Sequence, residues 1–358
     1  MESAIPDHLK RDRTQPASTP ADFRPAYPAW VSRFEPLVEQ VVMAYFGVQH
    51  PTKVDPAVLD GLCARFTGQY SPGYWECARY ADAQGYDTVI TIAYWKDVTA
   101  FAGWRGESGF DAWWREPARL ADPCGYFLEV VSPTVDRFET LLSSRDQPEG
   151  IARLEDAVSG EIVEHSYWGG ARDRIARSQI DPMNGETPPM EPLTETRGKR
   201  VVLPGRENLC LIRSLQDWTA MKDDEERALY FRDLQPPLLA GMRFLHEEGR
   251  TIGCLSSRFL TVLDEQGREA EKTFGLLYFD SLASLEAWAK RHPTHLAIFG
   301  SFQKYVRQMN SQIALRLYHE VTVVPAGAQQ FEYLNCHPDT GMLRAGGANP
   351  ACDPAALR

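Results

Sequence analysis

At 358 residues and 43% apolar content the chain can bury a large core, and its length points to two domains or one duplicated domain. A net charge of −11 excludes a broad nucleic-acid surface, no apolar run is long enough to cross a bilayer, and neither GxxxxGKS/T nor a helix-opening GxGxxG is present to grip phosphate. The seven cysteines (Cys63, Cys77, Cys124, Cys210, Cys254, Cys336 and Cys352) are scattered and never spaced CxxC, which excludes a disulfide framework, a zinc knuckle and covalently attached c-type haem.

Residues 1–33 carry Pro6, Pro16, Pro20, Pro25 and Pro28 with little periodicity, so they predict an arm that wraps the body or a partner subunit. The arm lacks the apolar segment of a secretory signal, and cytosol is the expected compartment. VVMAYFGVQ (41–49) predicts the first strand, residues 56–67 a helix, and YDTVITIAYWKD (86–97) a second strand. A helical region with Trp104, Trp113 and Trp114 comes next, then CGYFLEVVSP (124–133) as a strand and 135–143 as a short helix bearing Glu139. GEIVEHSYWGGARDRIARSQ (160–179) mixes a short strand, a Gly-Gly turn and a basic cluster, and 182–200 reads as loop. A strand at 207–218, one long helix over 223–247 and a hairpin of 253–263 with 271–280 complete the approach to the most informative stretch.

That stretch, HPTHLAIFGSFQKYVRQMNSQIALRLYHE, occupies 292–320. Pro293 suits a first helical turn, and Ile298, Phe299, Phe302, Val306 and Met309 form a helical apolar stripe with His295 on the same side. The following strand alternates, with Leu315, Leu317, His319 and Val321 on one face. Helix and strand rises of roughly 1.5 and 3.3 Å per residue bring the two imidazoles to nearly the same level if the strand returns beneath the helix. Such a pair is able to bracket a flat cofactor, one imidazole as ligand and the other as acid/base. The bland alternative is a pair of satisfied core histidines. The tryptophans and phenylalanines read as core, and Cys336 with His337 as part of a closing C-terminal loop.

The chain also repeats itself. Tyr94-Trp95-Lys96-Asp97 leading to Trp104 lines up with Tyr278-Phe279-Asp280-Ser281 leading to Trp288. Pro117 to Leu120 lines up with Pro293 to Leu296, and Phe127 to Val130 with Tyr318 to Val321. The reading is a duplicated α+β unit with helices covering antiparallel sheet. It divides the chain into an arm (1–33), a first repeat (34–150), a connecting segment (151–206), a second repeat (207–344) and a flexible Ala/Pro/Gly-rich tail (345–358). Where the second copy has His295 and His319, the first has Arg119 and Leu128, so one copy alone carries a site.

HPTHLAIF, LRLYHEV and YLNCHPDTGMLR, together with the opening MESAI, VVMAYFGVQ, IAYWKDV, RFETL, GEIVEHSYWGGARDR and IRSLQDW, resemble the haem-containing aldoxime dehydratases, in order and over nearly the whole chain. The resemblance implies two ferredoxin-like units, a homodimer, one haem b that is ferrous when active, and dehydration of a small aldoxime to a nitrile. It makes His295 the proximal iron ligand, and it places His319, Ser214, Arg174 and Glu139 on the distal side. This chain reads RDRIARSQ where the family often has RDRFPISQ, so Arg172 and Arg177 stand beside Arg174 as candidates. A haem peroxidase or oxygenase on the related fold, and a haem-binding sensor, are the competing classes. Nucleic acid and membrane are not expected partners.

Overall fold

Eleven antiparallel strands form one continuous sheet in the computed structural model, which describes residues 1–165, 170–186 and 193–346. The chain runs β1 (Ser32–Arg33), β2 (Val42–His50), α1 (Pro56–Cys63), β3 (Tyr74–Ala81), β4 (Asp87–Trp95), α2 (Val98–Glu107), α3 (Phe110–Arg115) and β5 (Gly125–Val131). β6 (Phe138–Leu142), β7 (Ala157–Val158), α4 (Gly170–Arg174) and β8 (Arg200–Leu203) connect the halves. Then come β9 (Leu209–Asp217), α5 (Asp224–Leu229), α6 (Gln235–Glu247), β10 (Cys254–Leu263), β11 (Glu269–Phe279), α7 (Leu282–Arg291), α8 (Pro293–Gln308), β12 (Arg316–Val324) and β13 (Gln329–Leu334).

The sheet order is β6-β12-β9-β11-β10-β3-β4-β2-β5-β13-β8, with β1 and β7 pairing separately. Within β2 to β5 the spatial order is fourth, first, third, second strand, and within β9 to β12 it is the same. Each set connects its first and second strands, and its third and fourth, through helices. The two sets join edge to edge through β10 and β3. This is a mixed fold of helices and antiparallel sheet with an internal repeat.

Local chemistry explains the helix starts. The side chains of Asp97 and Ser281, equivalent positions in the repeat, accept the backbone N–H groups of Thr99 and Ser284 and so cap α2 and α7. Pro293 occupies the first turn of α8, where its missing N–H is no loss, and the His292 side chain accepts from the Thr294 N–H. Strand alternation divides the core. Tyr45, Ile92 and Phe127 of the first set share one apolar cluster with Leu211, Leu260 and Leu276 of the second, which welds the halves. The opposite sheet faces are covered by helices, in separate clusters under α2 and α3 and under α6 and α7.

Two expectations change. Residues 135–143 are not a helix: after a 3₁₀ turn, Phe138–Leu142 is β6, paired with β12. Its alternating Phe138, Thr140 and Leu142 suit a pleat, and the β12 edge offers hydrogen bonds that so short a helix lacks. The helix expected over 223–247 is broken by a π turn at Tyr230–Leu234. Pro236 and Pro237 have no N–H to give the preceding turn, so the backbone widens there. The arm lies on its own body: the Glu2 N–H donates to the Glu161 carbonyl (2.8 Å), and the Ser18 and Thr19 N–H groups donate to the Asp173 carboxylate at 3.0 and 2.5 Å. The tail expected at 345–358 lies, beyond Gly346, outside the described residues. His337 meets Asp82 at 2.6 Å and Gln49 at 3.0 Å, fastening the loop after β13 to the β3–β4 hairpin. Among the described residues no helix is long and apolar enough to cross a membrane.

Candidate functional site

β12 and β9 are paired so that His319 stands directly opposite Ser214. Gly275 on β11 lies opposite Ser214 in turn, and Phe259 on β10 opposite Gly275. Directly opposed residues in an antiparallel sheet share a face, so His319, Ser214, Gly275 and Phe259 form one transverse row on the helix-covered side. Along β12 the row is flanked by Val321, in the cluster under α7, and by Leu317, packed on a cluster with Tyr305 of α8. α8 bridges the same two clusters. Its His295 ring lies 4.6 Å from the ring of Trp288, and its Tyr305 hydroxyl donates to the buried Glu226 carboxylate at 2.5 Å. The helix is therefore anchored on both sides of the row that bears His319.

Three side chains converge at one end of the row. Nε2 of His319 lies 3.0 Å from Glu139 Oε1 and 3.0 Å from Arg174 Nη2. Arg174 also donates from Nε to Glu139 Oε2 at 2.7 Å, and from Nη1 to the Glu164 carbonyl at 2.8 Å. His319, Glu139 and Arg174 are 8%, 4% and 5% exposed. Burial opposes the Glu139 charge, but Arg174 and His319 outweigh it and hold the carboxyl down at about 2. The His319 nitrogen thus has a partner in either state: with a proton it donates to Glu139, and without one it accepts from Arg174.

The other two arginines face elsewhere. Arg172 is bonded to Glu286 of α7 at 2.9 Å, and Arg177 to Asp181 at 3.1 Å. The strand reading of β6 is what brings Glu139 to the site, since its backbone pairs with Val321, two residues from His319. A small cavity of about 40 Å³ lies behind the pair, lined by Glu139, Arg174 and Phe138 together with Ala4, Pro6 and His8 of the arm. The arm thus forms the rear wall of the site.

His165 joins this neighbourhood, and neither periodicity nor spacing pointed to it. Burial and then the Arg174 charge depress its imidazole to about 4, while the Tyr27 backbone takes a ring hydrogen bond. Its signal in the sequence was position alone, next to Glu164 in the connecting segment.

His295 is 5% exposed, and burial lowers it to about 4, so it is neutral at pH 7. A ring N–H is given to the Ala289 backbone. A neutral imidazole oriented by a carbonyl on one nitrogen is the form that ligates iron, so the donor chemistry fits a haem ligand. The row on the sheet bears on this too. Gly275 presents no side chain there, and the rows of the two units differ sharply. In the first unit the corresponding positions are Leu128, Phe46, Thr91 and Cys77. Phe46 fills the space with its ring, 5.4 Å from Trp104 and 5.2 Å from Phe110. Arg119, aligned with His295, lies over Trp113 and pairs with Asp122 at 3.0 Å. At the two positions nearest the strand of His319 the first unit carries Leu128 and Phe46 where the second carries His319 and Ser214, and at the third Thr91 stands against Gly275.

The fold and this site describe an α+β protein with a neutral histidine on a helix laid across a sheet face that bears a second, ion-paired histidine. The family model for the haem-containing dehydratases matches residues 44–342, and the chain belongs to that family. It is 40% identical over 357 residues to an aliphatic aldoxime dehydratase of a Pseudomonas species, covering 98% of this chain and 100% of that protein. It is 31% identical to the phenylacetaldoxime dehydratase of Bacillus sp. (strain OxB-1), over 90% of this chain and 93% of that protein. A crystal structure of an aldoxime dehydratase in complex with butyraldoxime superposes with a TM-score of 0.89 at 38% identity, covering 97% of each chain. Haem is accordingly the cofactor of this enzyme.

Proposed function

We propose that this protein dehydrates aldoximes, R–CH=N–OH, to nitriles and water, with haem b held by His295 and with His319, Glu139, Arg174 and Ser214 on the distal side. The observation that carries the reading is the contact of one buried histidine nitrogen with both a carboxylate and a guanidinium, each at 3.0 Å. Similarity to dehydratases named for aliphatic aldoximes and for phenylacetaldoxime supports the substrate class.

Ferrous haem, when bound, supplies the electron density that weakens the N–O bond. The chain must then move two protons. Hydroxide is a poor leaving group, so a proton has to reach the oxime oxygen as the bond breaks. In this reading His319 starts as imidazolium, with its Nε2 proton donated to Glu139. The proton on Nδ1 goes to the hydroxyl, which leaves as water. The neutral ring then takes the carbon-bound proton at Nδ1, closing the nitrile and restoring the imidazolium. Glu139 keeps the ring oriented throughout, as a carboxylate does for a catalytic histidine in other enzymes. Ser214, opposite His319, and Arg174 hydrogen-bond the oxime oxygen as charge develops on it.

We read 34–150 and 207–344 as two ferredoxin-like units joined by 151–206, of which only the second holds haem. The identical strand order of the two sets supports this division. The reading also takes the enzyme to be a cytoplasmic homodimer.

The test is an absorption spectrum of the haem-loaded protein before and after dithionite, followed by anaerobic addition of butyraldoxime or phenylacetaldoxime and an assay for nitrile. A haem band that shifts with oxime, with nitrile formed only after reduction, is the expected result. A haem band with peroxide-dependent oxidation and no nitrile would replace the reading with a peroxidase.

A further inference from the structure

The transverse row contains one position with no side chain, and what occupies the space above it is movable. A Cβ built on Gly275 would lie 3.0 Å from Cε and 3.3 Å from Sδ of Met242, on α6. Those two atoms are the far end of the most flexible apolar side chain, free to swing between rotamers. No backbone atom crowds this point, so the glycine is not needed for close chain packing there. Its φ is not in the left-handed region either, so the backbone does not require glycine. The first unit carries Thr91 at the matching place, so the strand geometry tolerates a side chain.

Along the sheet, most other directions away from His319 are occupied by packed side chains. Toward β6 stands the buried Glu139–Arg174 pair. Along the strands toward α7 stand Val321, Ile212 and Leu277, each no more than 3% exposed within one packed cluster. Toward the opposite end stand Gln216 and Thr273, both buried, their side chains 3.3 Å apart. From Ser214 the row continues over Gly275 to the half-buried Phe259.

We infer that Gly275 and Met242 are the specificity-determining pair of this site. The hydrocarbon chain of an aldoxime whose oxime group lies at His319 and Ser214 runs over Gly275, and the thioether of Met242 forms its adjustable ceiling. The inference rests on the dehydratase reading above. The thioether fills the space over Gly275, so an unbranched aliphatic chain enters by a small swing of Met242, whereas a phenyl ring has to displace it much farther. A methylene-sized misfit in such a pocket changes selectivity by roughly tenfold or more.

The test uses haem-loaded wild type, Gly275→Val and Met242→Ala, with kcat/KM for acetaldoxime, butyraldoxime and phenylacetaldoxime. Haem content, and the apparent Kd of each oxime from the absorption change of the ferric protein, are read alongside. Gly275→Val is expected to lower the butyraldoxime-to-acetaldoxime ratio about tenfold. Met242→Ala is expected to raise the phenylacetaldoxime-to-butyraldoxime ratio about tenfold, with Kd moving in parallel and haem content constant. Should Gly275→Val fail to fold, Met242→Ala decides alone. Ratios and Kd values within twofold of wild type would overturn the inference while leaving the function intact. No nitrile from any oxime with the reduced wild type would overturn both.

Discussion

Nε2 of His319 lies 3.0 Å from Oε1 of Glu139, a carboxylate that burial by itself would neutralise and that stays charged because Arg174 lies on its other side. The pair therefore depends on a third residue, and removing the charge at either end leaves a buried ion without its partner. Glu139→Gln keeps the shape and deletes the charge. It should destabilise the protein by about 3–5 kcal/mol, the cost of stranding Arg174, and lower kcat at least tenfold with haem retained. Urea unfolding and a single-turnover assay measure the two effects. Wild-type kcat in the folded variant would remove Glu139 from the site.

The two histidines should separate cleanly. His295→Ala is expected to yield haem-free protein, seen as loss of the absorption band after haem-supplemented expression. His319→Ala should keep the band and lose turnover by a factor of at least about 10². Loss of haem from His319→Ala, or an active haem-loaded His295→Ala, would reverse the assignment.

Acid should act in two stages. His295 and His165 ordinarily titrate near 6.5, but burial keeps both neutral in the fold down to about 4. The unfolded chain binds these protons first, so the stability they contribute is complete above pH 6.5 and declines as the pH falls from there toward 4. Glu139, lowered from 4.5 to about 2, adds a second decline from pH 4.5 toward 2. Each group accounts for about 3 kcal/mol at most. Haem release should begin in the first window, as protons compete for His295. Absorption and circular dichroism between pH 8 and 3 follow both stages. Stability that rises on acidification from pH 6.5 to 4 would contradict this account.

Phe46 is 2% exposed at the centre of the aromatic cluster of the first unit. Phe46→Ala should cost about 3–5 kcal/mol through the cavity it leaves. Haem content and the oxime-induced shift should stay unchanged, because the damage lies in the unit without the histidines. Thermal unfolding beside a haem assay checks this.

Much of this was legible from residue order. The strands β2, β4, β5, β9, β10 and β11 announced themselves through apolar runs, and α8 through its stripe. The aligned repeats pointed to the duplicated strand order and to the asymmetry of Arg119 and Leu128 against His295 and His319. β6 was missed because a five-residue edge strand beside a turn has too short a pattern to outweigh a helical reading. What no single segment reveals is register. Ser214, Gly275 and Phe259 enter the row only once three strands are paired, and Glu139 reaches His319 only through the β6–β12 edge. The π turn at Tyr230–Leu234 was hidden behind good helix formers on both sides of its two prolines.

The ring of Phe46 has a consequence for stoichiometry. Giving the first unit its own haem would take more than Leu128→His and Arg119→His. Phe46, Trp104 and Phe110 would also have to vacate the space they share. At about 3–5 kcal/mol for each lost ring, against a total stability of about 5–15 kcal/mol for a typical protein, the chain would unfold before the second pocket opened. On the proposed assignment, one haem per chain follows from carbon packing in the first unit as firmly as from the histidines of the second.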